Sequence, residues 1–314
     1  MVEAAFEEQL EALEQERAFV DLRGWGITEV RGTDAQGWLN DLVTASVVGL
    51  AEGEALRSFL LSPTGRIRAD VRVLRARAGD GFLLLQETAQ PETIADLLAP
   101  YILSSDVELA RADPQGLLVR PRPSLGWTAA WEARDDGSIA AGPEALEAWR
   151  IRHGFARFPV DLDADSLPAE AGLDVEPLID RSKGCYLGQE SVARVRNLGH
   201  PPRLVVGVRA EVPLRPGTRV RSRGDRVGSV TSVEPRGGSS AMVRIRWDAR
   251  DTELHRGGRH RLGAPGTVDR ELPDTTESLT FQDCSRSIAN GTRVSCAHRP
   301  PPGPRRNPTR HAGS

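Results

Sequence analysis

Along residues 4–17, Phe6, Leu10 and Leu13 recur at i, i+4 and i+7 among glutamates, which predicts an amphipathic helix. Residues 27–30 read as a short strand. Thr33 and Gln36 then have capping-box spacing and predict a helix from about Asp34 to Val43, with Ala35, Trp38, Leu39 and Leu42 facing inward. Residues 58–62 and 66–75 flank the turn sequence Pro63-Thr64-Gly65 and predict a hairpin. Its second strand alternates, with Ile67, Ala69, Val71 and Val73 on one face and Arg66, Arg68, Asp70 and Arg72 on the other. That pattern predicts a half-buried antiparallel strand whose charged face is solvated, or lines a channel for an anionic ligand. A strand at 82–86, a helix at 92–101 and a strand at 106–110 follow. The order β-α-β-β-β-α-β with short connections is an α+β arrangement on a largely antiparallel sheet.

Residues 116–150 look like another round, with strands at 116–119 and 128–133 and a helix over 143–151. From Leu204 the texture changes to short β runs at 204–210, 218–222, 227–233 and 241–247, punctuated by Gly and Pro. This predicts a small β-barrel. The domain reading is therefore 1–203 for the α+β body, 204–265 for the barrel and 266–314 for a basic, Pro-rich tail. Residues 299–314 hold five prolines and four arginines, a composition that predicts disorder.

The chain has 314 residues, 39% hydrophobic and 27% charged, enough apolar material for packed cores. Its net charge of −3 hides an asymmetry: residues 275–314 carry six arginines against Glu277 and Asp283, a local +4, which leaves −7 for the remainder. An acidic body gives no electrostatic case for direct nucleic-acid binding. No apolar run approaches the ~20 residues a bilayer needs, and residues 1–16 lack the pattern of a signal peptide, so the reading is cytoplasmic without membrane contact.

The compact constellation of chemistry is Lys183-Gly184-Cys185-Tyr186-Leu187-Gly188-Gln189-Glu190, continuing to Arg194. Two glycines permit a tight turn. A cysteine before a helix start and beside Arg181 and Lys183 has surroundings that favour a thiolate. The bland alternative is a small buried hydrophobe. Neither His153 nor His200 sits in a recognisable cysteine-nucleophile motif, and the stretch lacks phosphate-loop spacing. Cys284, Cys296 and His298 lie in the irregular tail without a paired C-x-x-C, so no permanently bound metal is expected. Asp161, Asp163, Asp165 and Glu170 read as loop acids, the alternative being contact with a ligand's ring nitrogens.

Residues 183–190 match the K-G-C-Y-x-G-Q-E signature of the YgfZ family, which resembles the aminomethyltransferase (T-protein) of the glycine cleavage system. The likeness extends over about residues 20–250. Residues 27–47, with a Gly-x-Asp-x-x-x-Trp-Leu core, are similar to that family's N-terminal segment, and residues 61–73 to its Ser-Pro-x-Gly-Arg-Ile hairpin. Residues 150–154, 167–170 and 197–204 resemble the flanks of the signature. The resemblance implies a T-protein-like folate-binding body of antiparallel sheets and helices in ferredoxin-like subdomains, followed by a small C-terminal β-barrel. It implies tetrahydrofolate or a derivative as ligand, and iron–sulfur enzymes or cluster-assembly proteins as partners. It makes Cys185, with Lys183, the functional pair, and Gly184, Tyr186, Gly188, Gln189, Glu190, Arg194 and Arg152 the residues that shape the folate site. The implied role is accessory: assembly or repair of iron–sulfur clusters. The alternatives are a folate-dependent aminomethyl or one-carbon transferase and a factor linked to tRNA modification. One departure stands out. T-protein sequences carry a pterin-anchoring carboxylate in Arg-x-Glu-x-Gly, whereas this chain reads Arg150-Ile151-Arg152-His153-Gly154, and an arginine cannot accept the pterin's N–H donors.

Overall fold

A computed structural model describes residues 5–20, 22, 24–77, 81–113, 117–122, 127–130, 138–172, 178–250, 254–256 and 260–263. The predicted disorder of the tail, and Cys284, Cys296 and His298 within it, lie outside the described residues.

The chain opens with α1 (Phe6–Glu14) and β1 (Ala18–Val20), then runs through β2 (Trp25–Arg31), α2 (Ala35–Leu42), β3 (Glu54–Leu61), β4 (Ile67–Arg75), β5 (Phe82–Glu87), α3 (Ile94–Leu98) and β6 (Glu108–Arg111). The β-α-β-β-β-α-β order of the sequence reading is thus found from β2 to β6. Strands β7 (Leu118–Pro121), β8 (Trp127–Ala130) and β9 (Ile139–Ala141) precede α4 (Pro143–Arg152). All nine strands join one sheet in the order β6-β2-β5-β4-β3-β8-β7-β1-β9, antiparallel except where β1 runs parallel to β9. Sequence patterning missed β1 and β9, which are three residues each, too short to show a period.

The helix predicted at Asp34 forms as α2 and buries Ala35, Leu39 and Leu42. Its predicted capping box does not form. Thr33 Oγ1 instead donates to Asp106 Oδ2 at 2.7 Å, while Asp34 Oδ2 accepts from the Asp106 amide at 2.8 Å. The tertiary partner Asp106 outcompetes the local cap.

Strand β4 departs from its predicted half-buried character. Helices α2 and α3 cover one face, where Leu60, Ala69, Val71 and Val73 pack with Leu39, Ile94 and Leu98. On the other face Phe59, Leu61 and Ile67 pack with Ile151, Phe158, Leu162 and Tyr186. A bulge explains why Ile67 leaves the Ala69–Val71–Val73 stripe: Leu60 pairs with Ala69 but Leu61 pairs with Ile67, so Arg68 is an extra residue that reverses the side-chain phase. The charged face is divided, with Arg68 38% exposed beside Glu92 while the far end is covered. Asp70 is buried beside Arg57 and Arg72.

After α5 (Gln189–Leu198), strands β10 (Arg203–Ala210), β11 (Arg219–Ser222), β12 (Asp225–Val233), β13 (Ser240–Arg246), β14 (Leu254–Arg256) and β15 (His260–Gly263) follow in antiparallel pairing. Their order is β10-β13-β12-β11-β14-β15, with β15 returning to pair with β10. Leu204, Val206, Val208, Val220, Val230, Val243 and Ile245 form the core of this unit. Val205 and Met242, on the opposite faces of their strands, join the core beneath β3 and β4.

Candidate functional site

The signature segment is a turn pinned from three sides. Lys183 donates from Nζ to the carbonyls of Asn40, Val43 and Ala45 at 2.5, 2.7 and 3.0 Å, at the C-terminal end of α2. Those carbonyls lack intrahelical partners, and an ammonium with three donors satisfies them while meeting the negative end of the helix dipole. Burial pulls the Lys183 pKa down to about 8, opposed by Asp180 and Asp41. Its three donors are thus committed to the fold, a use the sequence reading of Lys183 as partner to the thiol did not foresee.

Tyr186 inserts into the core with Phe59, Leu61 and Ile67, and burial raises its pKa to about 12, Asp180 adding to the shift. The Leu187 amide donates to the Asp41 carbonyl at 3.0 Å. Gly188 sits at φ +80°, where a Cβ would lie 2.6 Å from the Ser62 carbonyl oxygen and 3.1 Å from the Gly65 Cα. The Pro63-Thr64-Gly65 tip therefore docks backbone to backbone on the signature, which requires glycine here. Gly184 has no such constraint, with nothing within 4 Å of its would-be Cβ.

Cys185 is exposed between these anchors, so the buried-hydrophobe alternative is excluded. Gln189 opens α5 and donates through Nε2 to the Gly184 carbonyl at 3.4 Å, while Glu190 and Arg194 are exposed on that helix. His200 stacks on Trp247 and His153 bonds Glu14 at 3.0 Å, so both imidazoles have other uses. Among the described residues no group of His, Cys, Asp and Glu could hold a metal ion.

A second feature lies elsewhere. A cleft of about 40 Å³ is lined by Trp25, Arg57, Arg72, Glu87, Arg122, Leu146, Trp149, Arg150, Phe155, Ala156 and Arg157. None of the signature residues lines it. Arg57 is five residues from Ser62 along β3, roughly 16 Å at ~3.3 Å per residue. The cleft's floor is ionic. Arg57 donates from Nε and Nη2 to the two Asp70 oxygens at 2.9 and 2.5 Å, and Arg72 Nη1 donates to Asp70 Oδ1 at 2.8 Å. Burial alone would raise the Asp70 pKa, but the two guanidinium charges outweigh it and hold it below the usual carboxylate range. Glu87 has the opposite balance. Burial raises its pKa, and its nearest cation, Arg157 Nη1, is 3.5 Å away. Two donors on the lining, Trp149 Nε1 and Arg157 Nε, are buried without a hydrogen-bond partner.

Of the four acids between α4 and the signature, Asp161, Asp163 and Glu170 form a clasp to the β10–β13 unit. Asp161 is fully desolvated and accepts from Arg150 Nη1 at 2.7 Å and from the hydroxyls of Thr231 and Ser232 at 2.5 and 2.6 Å. Glu170 accepts from Arg203 and Arg244, and Asp163 from Arg244. Arg152 belongs to the same clasp: its Nε donates at 2.7 Å to buried Glu234 in the turn after β12. It does not line the cleft.

Sequence reasoning missed Trp25, Arg57, Glu87, Trp149 and Arg157. One signal was available. It lay in Arg57 and Arg72 together with the bulge: counted from the Pro63-Thr64-Gly65 turn, where Leu61 pairs with Ile67, Arg57 would face Val71, and the extra residue Arg68 brings it opposite Arg72, where two facing arginines on a covered sheet require a carboxylate.

Comparison with known proteins adds the following. Residues 2–117 match the family model described as the GCVT N-terminal domain. An uncharacterized protein of Haemophilus influenzae is 27% identical over 58% of this chain and 69% of its own length. An "iron-sulfur cluster assembly factor IBA57 homolog, mitochondrial" of Pyricularia oryzae is 27% identical over 58% of this chain and 54% of its own length. A "putative transferase, chloroplastic" of Arabidopsis thaliana is 25% identical over 72% and 64%. The match thus spans little more than half of the named assembly factor. The crystal structure of the glycine cleavage system aminomethyltransferase T from Bartonella henselae superposes with a TM-score of 0.65 at 18% identity, covering 82% of this chain and 88% of that one. No helix among the described residues is long and apolar enough to cross a membrane. The chain has the glycine cleavage T-protein fold, with a GCVT-type domain over residues 2–117 and homology to IBA57-type proteins.

Proposed function

We propose that this chain is a tetrahydrofolate-binding accessory protein that assists iron–sulfur cluster assembly or repair through Cys185, in the cytoplasm. The observation that carries the reading is the exposed Cys185 on a turn fixed at Lys183, Tyr186 and Gly188. A soft sulfur ligand held at the surface on a rigid turn is suited to ligate a cluster, here the cargo, while a partner protein supplies the other ligands. The relatives named as cluster assembly factors support the same reading. We further take residues 1–203 as the folate-binding body, 204–265 as a barrel domain and 266–314 as a tail.

The chemistry of the cleft suits tetrahydrofolate. Trp25 and Phe155 offer apolar ring surfaces for a flat body and Trp149 Nε1 an open donor, while Arg57, Arg72 and Arg150 are already paired with Asp70, Glu147 and Asp161. Room is what it lacks: about 40 Å³ admits a water or two. Entry of a ring therefore requires a lining side chain to move, and Arg157, with 30% of its side chain exposed, is placed to do so. Bound tetrahydrofolate supplies a carrier for one-carbon units. Transferase chemistry would also need a base for the amine. Asp70 is held ionised with each oxygen engaged by arginine, and Arg152 stands in place of the acid, so the accessory reading is favoured.

The test is complementation of a deletion strain with wild type and Cys185→Ala, measuring cluster-dependent enzyme activities. Rescue by wild type alone is expected. Equal rescue by Cys185→Ala would remove the thiol from the function.

A further inference from the structure

The unfilled polar groups of the cleft form a set. Trp149 is 2% exposed, and its Nε1 is a donor with no acceptor. Arg157 Nε is a second such donor. Glu87 is the complementary acceptor: its side chain is 25% exposed at the cleft, its carboxylate takes no hydrogen bond from a described side chain, and its nearest cation is Arg157 at a long 3.5 Å. A buried donor left unpaired is costly to the fold. Folded proteins leave few such groups, and two of them lining one cleft call for a water, an ion or a ligand that completes them. The other charged groups around the cleft are already served. Asp70 is filled by Arg57 and Arg72, and Arg150 by Glu147 and Asp161.

Resting on the tetrahydrofolate reading, we infer that Glu87 and Trp149 recognise the amide–amine edge of the pterin ring, with Glu87 accepting from its N–H donors and Trp149 Nε1 donating to a ring acceptor. A carboxylate offers two acceptors side by side, the match for an amine and a ring N–H on one edge. Indole N–H supplies one donor and no acceptor. The walls that would sandwich the ring are Trp25 and Phe155. The carboxylate missing from the Arg152 position is thereby replaced by one on a different element, the last residue of β5. Arg152, tied to Glu234 outside the cleft, takes no part.

Calorimetric titration of the full chain with tetrahydrofolate, 6-methyltetrahydropterin and p-aminobenzoylglutamate tests this, using Glu87→Gln, Trp149→Phe and Arg152→Ala. Each variant's melting curve serves as a folding control. Glu87→Gln and Trp149→Phe should each weaken both pterin-containing ligands about tenfold, the loss of one buried hydrogen bond. They should leave p-aminobenzoylglutamate unchanged, and Arg152→Ala should bind all three as wild type. Wild-type binding of tetrahydrofolate that neither folded variant alters would overturn the inference and spare the folate reading. Pterin binding with variant losses, but without tetrahydrofolate binding, would do the reverse. No binding of either ligand would overturn both.

Discussion

Replacing Asp70 by Asn tests whether the ionic floor of the cleft is a stability element. The side chains of Arg57 and Asp70 are each 4% exposed and that of Arg72 is 15% exposed. Arg57 and Arg72 are direct cross-strand neighbours, so neutralising Asp70 leaves two buried guanidiniums facing one another. Breaking a buried pair costs about 3–5 kcal/mol. At ~2–4 °C per kcal/mol for a unit of this size, the melting temperature should fall on the order of 10 °C. Scanning calorimetry at neutral pH gives the number. Arg57→Met should cost less in the Asp70→Asn background than alone, because the pair is already broken. The pH dependence has a defined sign. The folded pKa of Asp70 lies below its ordinary 3.8, so its contribution is complete above 3.8 and is lost as pH falls through the folded value. The gap between wild type and Asp70→Asn should therefore narrow in acid. A variant melting within about 2 °C of wild type at neutral pH would refute the reasoning, since it would mean the pair's attraction only matches its desolvation.

Three further outcomes are expected. Gly188→Ala should destabilise by at least the ~1–2 kcal/mol of a left-handed non-glycine residue, with the clash against Ser62 added, whereas Gly184→Ala should melt as wild type; equal effects would show that the hairpin tip does not dock as described. Lys183→Ala should cost about 2–3 kcal/mol by stripping three carbonyls of their donor, measured by urea unfolding, and a neutral effect would return Lys183 to the chemistry. Asp163, held at about 2 chiefly by the Arg244 hydrogen bond, should stabilise fully above 3.8 and lose its effect as pH falls towards 2; because half its side chain is exposed, that contribution should also shrink with salt, and salt-insensitive acid unfolding would count against it.

Local pattern revealed much of the fold because α2, β3–β5 and β10–β13 each carry a period long enough to read. It misread what tertiary packing decides. Arg68 looks like any outward residue of an alternating strand, and only the β3 register makes it a bulge. Arg57, Asp70 and Arg72 look solvated until α4 and residues 155–158 close over them. The signature located the exposed thiol, and the sequence also placed Gly188 in its turn. Glu87, Trp149 and Arg157 come from a strand, a helix and a loop spread over 70 residues of chain, and nothing local in any of them announces a shared cleft.

The position of β1 between β7 and β9 has a consequence for how this protein is made. Helix α1 and β1 leave the ribosome well before the elements they pack against, which are Leu118–Pro121, Ile139–Ala141 and α4. About a hundred residues must be added before β7 emerges, which is of order 5–20 s of synthesis. Through that interval Leu10, Leu13 and Ala18 have no native cover. The hairpin core of β3–β5 can close meanwhile, so the nascent chain carries a finished half and an unclaimed apolar stripe. Residues 2–117 are thus a unit of sequence kinship and not of folding; a fragment that retains α1 and β1 needs the chain through Arg152 to bury them.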